Sequence, residues 1–244
     1  MSWHEEPMVA FDTETTGTDL DTDRIVSAAL LRIDPAARTV DATTWLIDPG
    51  IDIPAEATAI HGITTDHARE HGRPAADAVG EIAAALAEAI NTGLPIVVYN
   101  APFDLTLVNR EVRRHKQSLI ITGPHRLRVI DPLVIDKHGD RYRKGSRKLA
   151  DVCAHHGVHL APGQAHGAHA DALAAARLAW KLAHTNQGLA AMGIDELHAN
   201  QERWKADQAA SFQAHLRATK DPDAVIDPSW PVVIPAGPPV KEDM

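Results

Sequence analysis

Residues 8–17 read MVAFDTETTG, a short apolar run that ends by delivering Asp12 and Glu14 two positions apart. On an extended strand, side chains two apart share a face, so the two carboxylates stand side by side. Like charges at that spacing raise each other's proton affinity unless a cation lies between them. Hard divalent ions such as Mg²⁺ or Mn²⁺ take carboxylate oxygens and keep positions for water and substrate phosphate, so the stretch points to metal-assisted phosphoryl chemistry. Taken alone, it is equally a strand end running into a Thr/Gly turn, and the rest of the chain has to decide.

Outward from this stretch, residues 25–33 (IVSAALLRI) and 39–47 (TVDATTWLI) are β-branched and apolar, separated by DPAAR, and read as a hairpin. With residues 8–12 they make a three-stranded meander that puts the acids near a sheet edge or strand end. After IDIPAEATAIHGIT, a loop with one helical turn at 55–60, residues 75–91 read as a helix, because Val79, Ile82, Ala83, Leu86 and Ile90 recur at helical spacing and Gly93 stops the pattern. LPIVVYN, residues 94–100, is continuously apolar, as a buried parallel strand is. The helix that follows has Pro102 in its first turn, where a missing N–H costs little. That places Asp104 at a helix N-terminus, whose dipole favours the ionised carboxylate near neutral pH.

Residues 127–131 make a short strand. A helix starting at Gly145 or Ser146 carries Leu149, Val152 and Cys153 as far as Gly157, and residues 168–185 form an alanine-rich helix. The order βββαβαβαα predicts a mixed α/β layer fold. A polar helix at 195–218 and a proline-rich tail follow; Trp230, Val232, Val233 and Ile234 in the tail are apolar enough to pack on the body. The expected organisation is one domain over 1–187 and a C-terminal helix and tail over 188–244.

The 244 residues are 44% hydrophobic and 23% charged, enough for one good core with an extension. No run approaches the ~18 apolar residues of a membrane span, and MSWHEEP lacks a basic region followed by an apolar run. With Cys153 as the single cysteine, the expectation is a soluble cytoplasmic protein with no membrane partner. A net charge of −9 argues superficially against a nucleic-acid partner, but residues 110–148 hold 12 Lys/Arg against four acids. Such asymmetry suggests a local polyanion site on an acidic body, with Arg141, Arg143 and Lys144 as exposed phosphate contacts; a solvated basic face is the alternative.

Four acids stand out: Asp12 and Glu14 on a strand, Asp104 after a buried strand, and Asp171 in a helix preceded by His166. FDTETTG, YNAPFD and HGAHAD, in that order, resemble the motifs of the histidine branch of the DEDD exonucleases, over residues 8 to about 185. IHGIT at 60–64 and the run Arg147–Gly157 are secondary matches. The resemblance implies a ribonuclease-H-like fold, with three antiparallel strands plus parallel ones, and 3′-to-5′ release of nucleotides with two divalent cations, Mg²⁺ or Mn²⁺. Carried over by position, Asp12, Glu14 and Asp171 would hold one ion, Asp12 would bridge to the second, and Asp104 would help directly or through water. His166 would accept the proton of the attacking water, and Thr15, His61 and Phe103 would lie near the terminal nucleotide.

The implied partner is the 3′ end of a single strand, DNA before RNA, and the chain is more similar to the epsilon-type subunit of bacterial DNA polymerase III than to oligoribonuclease. RNA trimming, oligonucleotide clean-up and a non-catalytic module docking a polymerase through the C-terminal extension are the alternatives. A haloacid-dehalogenase-like phosphatase is disfavoured, because position 14 is Glu and no later lysine with a paired-aspartate motif appears. A zinc site among His155, His156, His159, His166 and His169 is disfavoured because Gly157 interrupts the helix that would align 155 with 159.

Overall fold

β1 (Met8–Thr15) pairs antiparallel with β2 (Ile25–Asp34), and β2 pairs with β3 (Thr39–Asp48). This is the meander expected from the sequence, seen in a computed structural model that describes residues 2–118, 126–159 and 167–233. Two further strands extend the sheet beyond β1. β5 (Ile96–Val97) lies parallel to β1, and β6 (Val129–Ile130) lies parallel to β5. β4 (Arg73–Pro74) closes the far side, for an order of β4-β3-β2-β1-β5-β6. β1 is therefore an interior strand and not an edge. The expectation of a strand end holds, since β5 reaches only Val9 and Ala10 and leaves Asp12 and Glu14 beyond that pairing.

The helices are α1 (Ala55–His61), α2 (Thr65–His71), α3 (Ala75–Asn91), α4 (Ala101–Arg114), α5 (Pro132–Gly139), α6 (Leu149–His155), α7 (Ala168–Thr185), α8 (Gln187–Ala190) and α9 (Ile194–Thr219). Strand alternation divides the core into two layers. Val9 and Phe11 of β1 pack with Val79, Ile82 and Leu86 of α3 and with Leu105 and Val108 of α4. Met8 and Ala10 pack against α7, whose buried face of Ala172, Ala175, Leu178 and Ala179 is mostly alanine and lets helix and sheet approach closely. The result is a mixed sheet covered by helices on both faces.

α2 and α5 are absent from the sequence reading although both carry start signals. Thr64 accepts from the His67 N–H, and Asp131 accepts from the Leu133 N–H ahead of Pro132. Asp131 does more than cap α5. Its two oxygens also receive the Asn100 and Ala101 N–H groups, each at 3.0 Å, at the start of α4. Asn100 there is left-handed, at φ 62°, a conformation that Asn tolerates better than most residues.

The C-terminal stretch closes onto the same point. Gln201 of α9, fully buried, accepts from the Asp131 N–H at 2.6 Å and donates to the Val129 carbonyl at 2.9 Å, which covers the β6 edge. Trp230, 6% exposed, donates to Asp131 at 3.2 Å. Val232 packs against the α3/α4 layer, and the Val233 N–H donates to Thr106 at 2.8 Å. Ile234 and the prolines at 235, 238 and 239 lie outside the described residues.

Candidate active site

Asp12 and Glu14 continue the Met8–Ala10 face of β1 and so point to the α7 side. Asp171, in the first turn of α7, meets them there. Its carboxylate and those of Asp12 and Glu14 offer ligand atoms all within 4.8 Å of one another, each residue partly open to solvent. Asp104 arrives from the opposite layer. The β5-to-α4 turn sets it in the first turn of α4, 4% exposed, where its Oδ1 accepts both the Thr13 N–H at 3.0 Å and the Thr13 hydroxyl at 2.7 Å. Thr13 is thus the bracket between the two layers. Strand alternation puts it on Asp104's side of β1, a signal the sequence reading left unused.

Burial is the largest influence on Asp12, Glu14 and Asp104. It pushes Glu14 up to about 7, with Asp171 and Asp104 adding like-charge repulsion. Asp12 is raised well above the ordinary carboxylate range by burial and then by Asp104, Asp171 and Glu14. Asp104 is also pushed up to about 7 by burial, against the opposing Thr13 hydrogen bonds. The expectation that the helix N-terminus keeps Asp104 charged is therefore corrected: desolvation outweighs the dipole. An all-oxygen set with this much unrelieved negative charge fits a hard divalent cation and does not fit a thiolate or imidazole zinc set.

A raised folded-state pKa gives a stability contribution that is full below the unfolded carboxylate range and is lost as pH rises through the folded value. With chelator present, melting temperature should therefore fall as pH rises through about 7, the value for Glu14 and Asp104. Added Mg²⁺ or Mn²⁺ should stabilise more at about pH 8 than at about pH 5, because ligation requires the ionised acids. Melts that are flat with pH in chelator and unmoved by metal would contradict the assignment.

The strand end carries two more of the expected residues. Between Glu14 and Thr15 the β1/β2 register shifts, a bulge that re-aims the chain at the site. The Thr15 hydroxyl donates to the Gly17 carbonyl at 2.6 Å. His61 ends α1 and accepts the Ile63 N–H on Nδ1 at 3.1 Å, which assigns its proton to Nε2. That nitrogen is buried without a hydrogen-bond partner among the described residues. Burial lowers the ring's pKa, with the nearby Thr15 main chain opposing the shift, so a neutral donor faces the strand end. Phe103 is partly exposed beside Asp104 and stands outside both core layers. His166 lies outside the described residues. His169 is exposed to solvent.

Residues 9–179 match the exonuclease family of the RNase T type. The chain belongs to that family. Among relatives of this exonuclease chain, the uncharacterized exonuclease CP81 of Escherichia phage 186 is 34% identical over 175 residues, covering 69% of this chain and 84% of that one. A DNA polymerase III subunit epsilon-like protein of Rhodobacter capsulatus is 41% identical over 105 residues, 42% of this chain but 14% of that protein. The E. coli exonuclease I complex with a dT13 oligonucleotide shares the fold, with a TM-score of 0.60 and 22% identity over 75% of this chain and 42% of that one. This exonuclease chain thus spans a small part of the R. capsulatus relative and less than half of exonuclease I. Asp12, Glu14 and Asp171 gather around β1 with Asp104 behind them, and membership of the exonuclease family removes the phosphatase alternative. Among the described residues the acid trio is the one metal-capable cluster, and His156 is instead hydrogen-bonded to Asp136 at 2.8 Å.

The basic segment is less free than its count suggests. Arg110 pairs with Asp21, Arg114 with Glu111, Arg128 with Asp195, and Arg143 and Arg147 with Asp136. Arg143 is therefore corrected from an exposed phosphate contact to a mostly buried ion-pair member, its side chain 12% exposed. Arg141 and Lys144 are exposed. No described helix is long and apolar enough to cross a membrane.

Proposed function

We propose that the chain is a metal-dependent 3′-to-5′ exonuclease that releases nucleoside monophosphates from single-stranded DNA ends. The observation that carries this reading is the convergence of Asp12, Glu14 and Asp171 on one face of β1, with Asp104 held against Thr13 behind them. Asp12, Glu14 and Asp171 would hold one Mg²⁺ or Mn²⁺, Asp12 would bridge to a second, and Asp104 would assist directly or through water. Bound ions at such a site neutralise charge on the attacking and leaving oxygens of an in-line displacement.

His166 takes a proton from the attacking water, whose oxygen joins the terminal phosphorus while the bond to the penultimate 3′ oxygen breaks and that oxygen takes a proton from solvent water. The products are a 5′-monophosphate and a strand one nucleotide shorter with a new 3′ hydroxyl. His61 Nε2–H, the partly open Phe103 ring and Thr15 would meet the terminal nucleotide as donor, stacking face and main-chain contact. Cys153, buried and unpaired, suits a reducing cytoplasm.

End-labelled single-stranded DNA, duplex DNA, RNA and dinucleotides, each offered with Mg²⁺ or Mn²⁺, test the substrate. Single-stranded DNA should be the fastest; RNA or dinucleotides turned over at least tenfold faster would replace this reading with an RNA-trimming or clean-up enzyme. A second reading, the proofreading partner of a polymerase, draws on the name of the R. capsulatus relative. Co-purification with a polymerase subunit, lost when residues 220–244 are deleted, would favour it.

A further inference from the structure

A groove of about 470 Å³ runs between the α5–α6 connection and the C-terminal half of α9. Among the described residues five cations line it, Lys137, Arg141, Arg143, Arg147 and Lys205, and no carboxylate does. Asp136 pairs with two of them, Arg143 and Arg147, and offsets one of their two charges. Lys137, Arg141 and Lys205 have no ion-pair partner among the described residues. Lys137 is partly buried, and after burial itself the charge of Lys205 is the main influence lowering its pKa. The Arg143 Nε is buried with no hydrogen-bond partner among the described residues. An anion in the groove would answer Lys137, Arg141 and Lys205 at once.

The same groove carries two exposed rings. Tyr142 is 83% exposed and Phe212 52% exposed, with Phe212 presented by the helix that forms one wall. Cations that track a backbone, interleaved with aromatic faces, form the combination that holds single strands without reading sequence. We propose that this groove is an auxiliary single-strand site that holds substrate nucleotides upstream of the scissile phosphate, bases against Phe212 and Tyr142 and phosphates against Lys205 and Arg141. This rests on the exonuclease reading for its ligand. The groove is nevertheless a distinct feature, since Lys205 and Phe212 lie beyond residues 9–179, which match the family.

Its position is tied to the catalytic end of the sheet. α5, which supplies Lys137, is capped by Asp131, the residue that receives the first N–H groups of the helix bearing Asp104. The Tyr99 hydroxyl, at the same strand end, donates to the Arg147 carbonyl at 2.6 Å and anchors the connection that carries Arg141 and Tyr142.

The test compares wild type with the double variant Lys205→Ala, Phe212→Ala on oligonucleotides from two to about sixteen nucleotides long, with binding measured in Ca²⁺ and cleavage in Mg²⁺. Wild-type affinity should rise with length; the variant should lose about tenfold or more on the longest strand, and its slope against log salt should shrink by about 0.7. Turnover of saturating dinucleotide should be unchanged. Equal affinities of the two proteins for the long strand, or a groove that binds an acidic peptide while the variant leaves oligonucleotide affinity intact, would overturn the proposal. If wild type cleaves nothing, the exonuclease reading fails; the binding comparison still decides the groove.

Discussion

Asp12→Asn should lower turnover by about 10³-fold or more while leaving the fold intact. The residue stands between Asp104 and Asp171, and both raise its proton affinity, so it is the point at which the two layers' negative charge meets. Metal-ion catalysis contributes several kcal/mol to transition-state stabilisation, and about 1.4 kcal/mol is a factor of ten. Without metal, the variant should melt at the same temperature as wild type or slightly higher above pH ~7, since replacing the carboxylate relieves repulsion. Added Mg²⁺ should stabilise it less than wild type. Asp171→Asn should behave the same way. Wild-type turnover in both variants with divalent metal supplied would end the metal-nuclease account.

His166→Ala should lower the single-turnover rate by about 10²- to 10⁴-fold, the usual contribution of a general base. Imidazole suits the task because its unperturbed pKa lies close to neutral. The lower limb of the pH–rate profile should vanish with it, and high pH should partly rescue the variant as hydroxide replaces the base. His169→Ala should cost less than tenfold. His169 sits in the first turn of α7, two positions before Asp171 and about 200° around the helix from it, and is solvent-exposed. If His169→Ala proves the more damaging substitution, the assignment is reversed.

The features legible in the sequence were those fixed by local pattern. Helix α3 matches its apolar spacing from Ala75 to Asn91. The alternation of β1 and the Pro102 start of α4 place Asp12, Glu14 and Asp104 correctly. What failed depends on contacts that only the folded chain makes, most of them between residues far apart in sequence. Asp104's proton affinity is set by burial under the sheet, which no local window encodes. Asp131 reads as the last residue of a strand, yet it joins α4, α5, Gln201 and Trp230, the last of them 99 positions away. Arg143 looked like one free cation in a basic run because its partner, Asp136, comes into reach only when α5 folds back on the connection that follows it. The groove could not be read from the basic run alone, since half of its lining comes from a polar helix some 60 residues later.

The central claim is that the acids around β1 serve metal-dependent hydrolysis from a 3′ end, and strand polarity tests it most directly. One single-stranded DNA carries a label at its 5′ end and a second carries a label in its 3′-terminal nucleotide; both are incubated with the purified protein and Mg²⁺, with chelator as control. The account predicts that the 3′ label appears at once as a nucleoside 5′-monophosphate, while the 5′-labelled strand shortens one nucleotide at a time and chelator stops both. Release of the 5′ label first, internal cuts from the outset, or cleavage undiminished by chelator would contradict it.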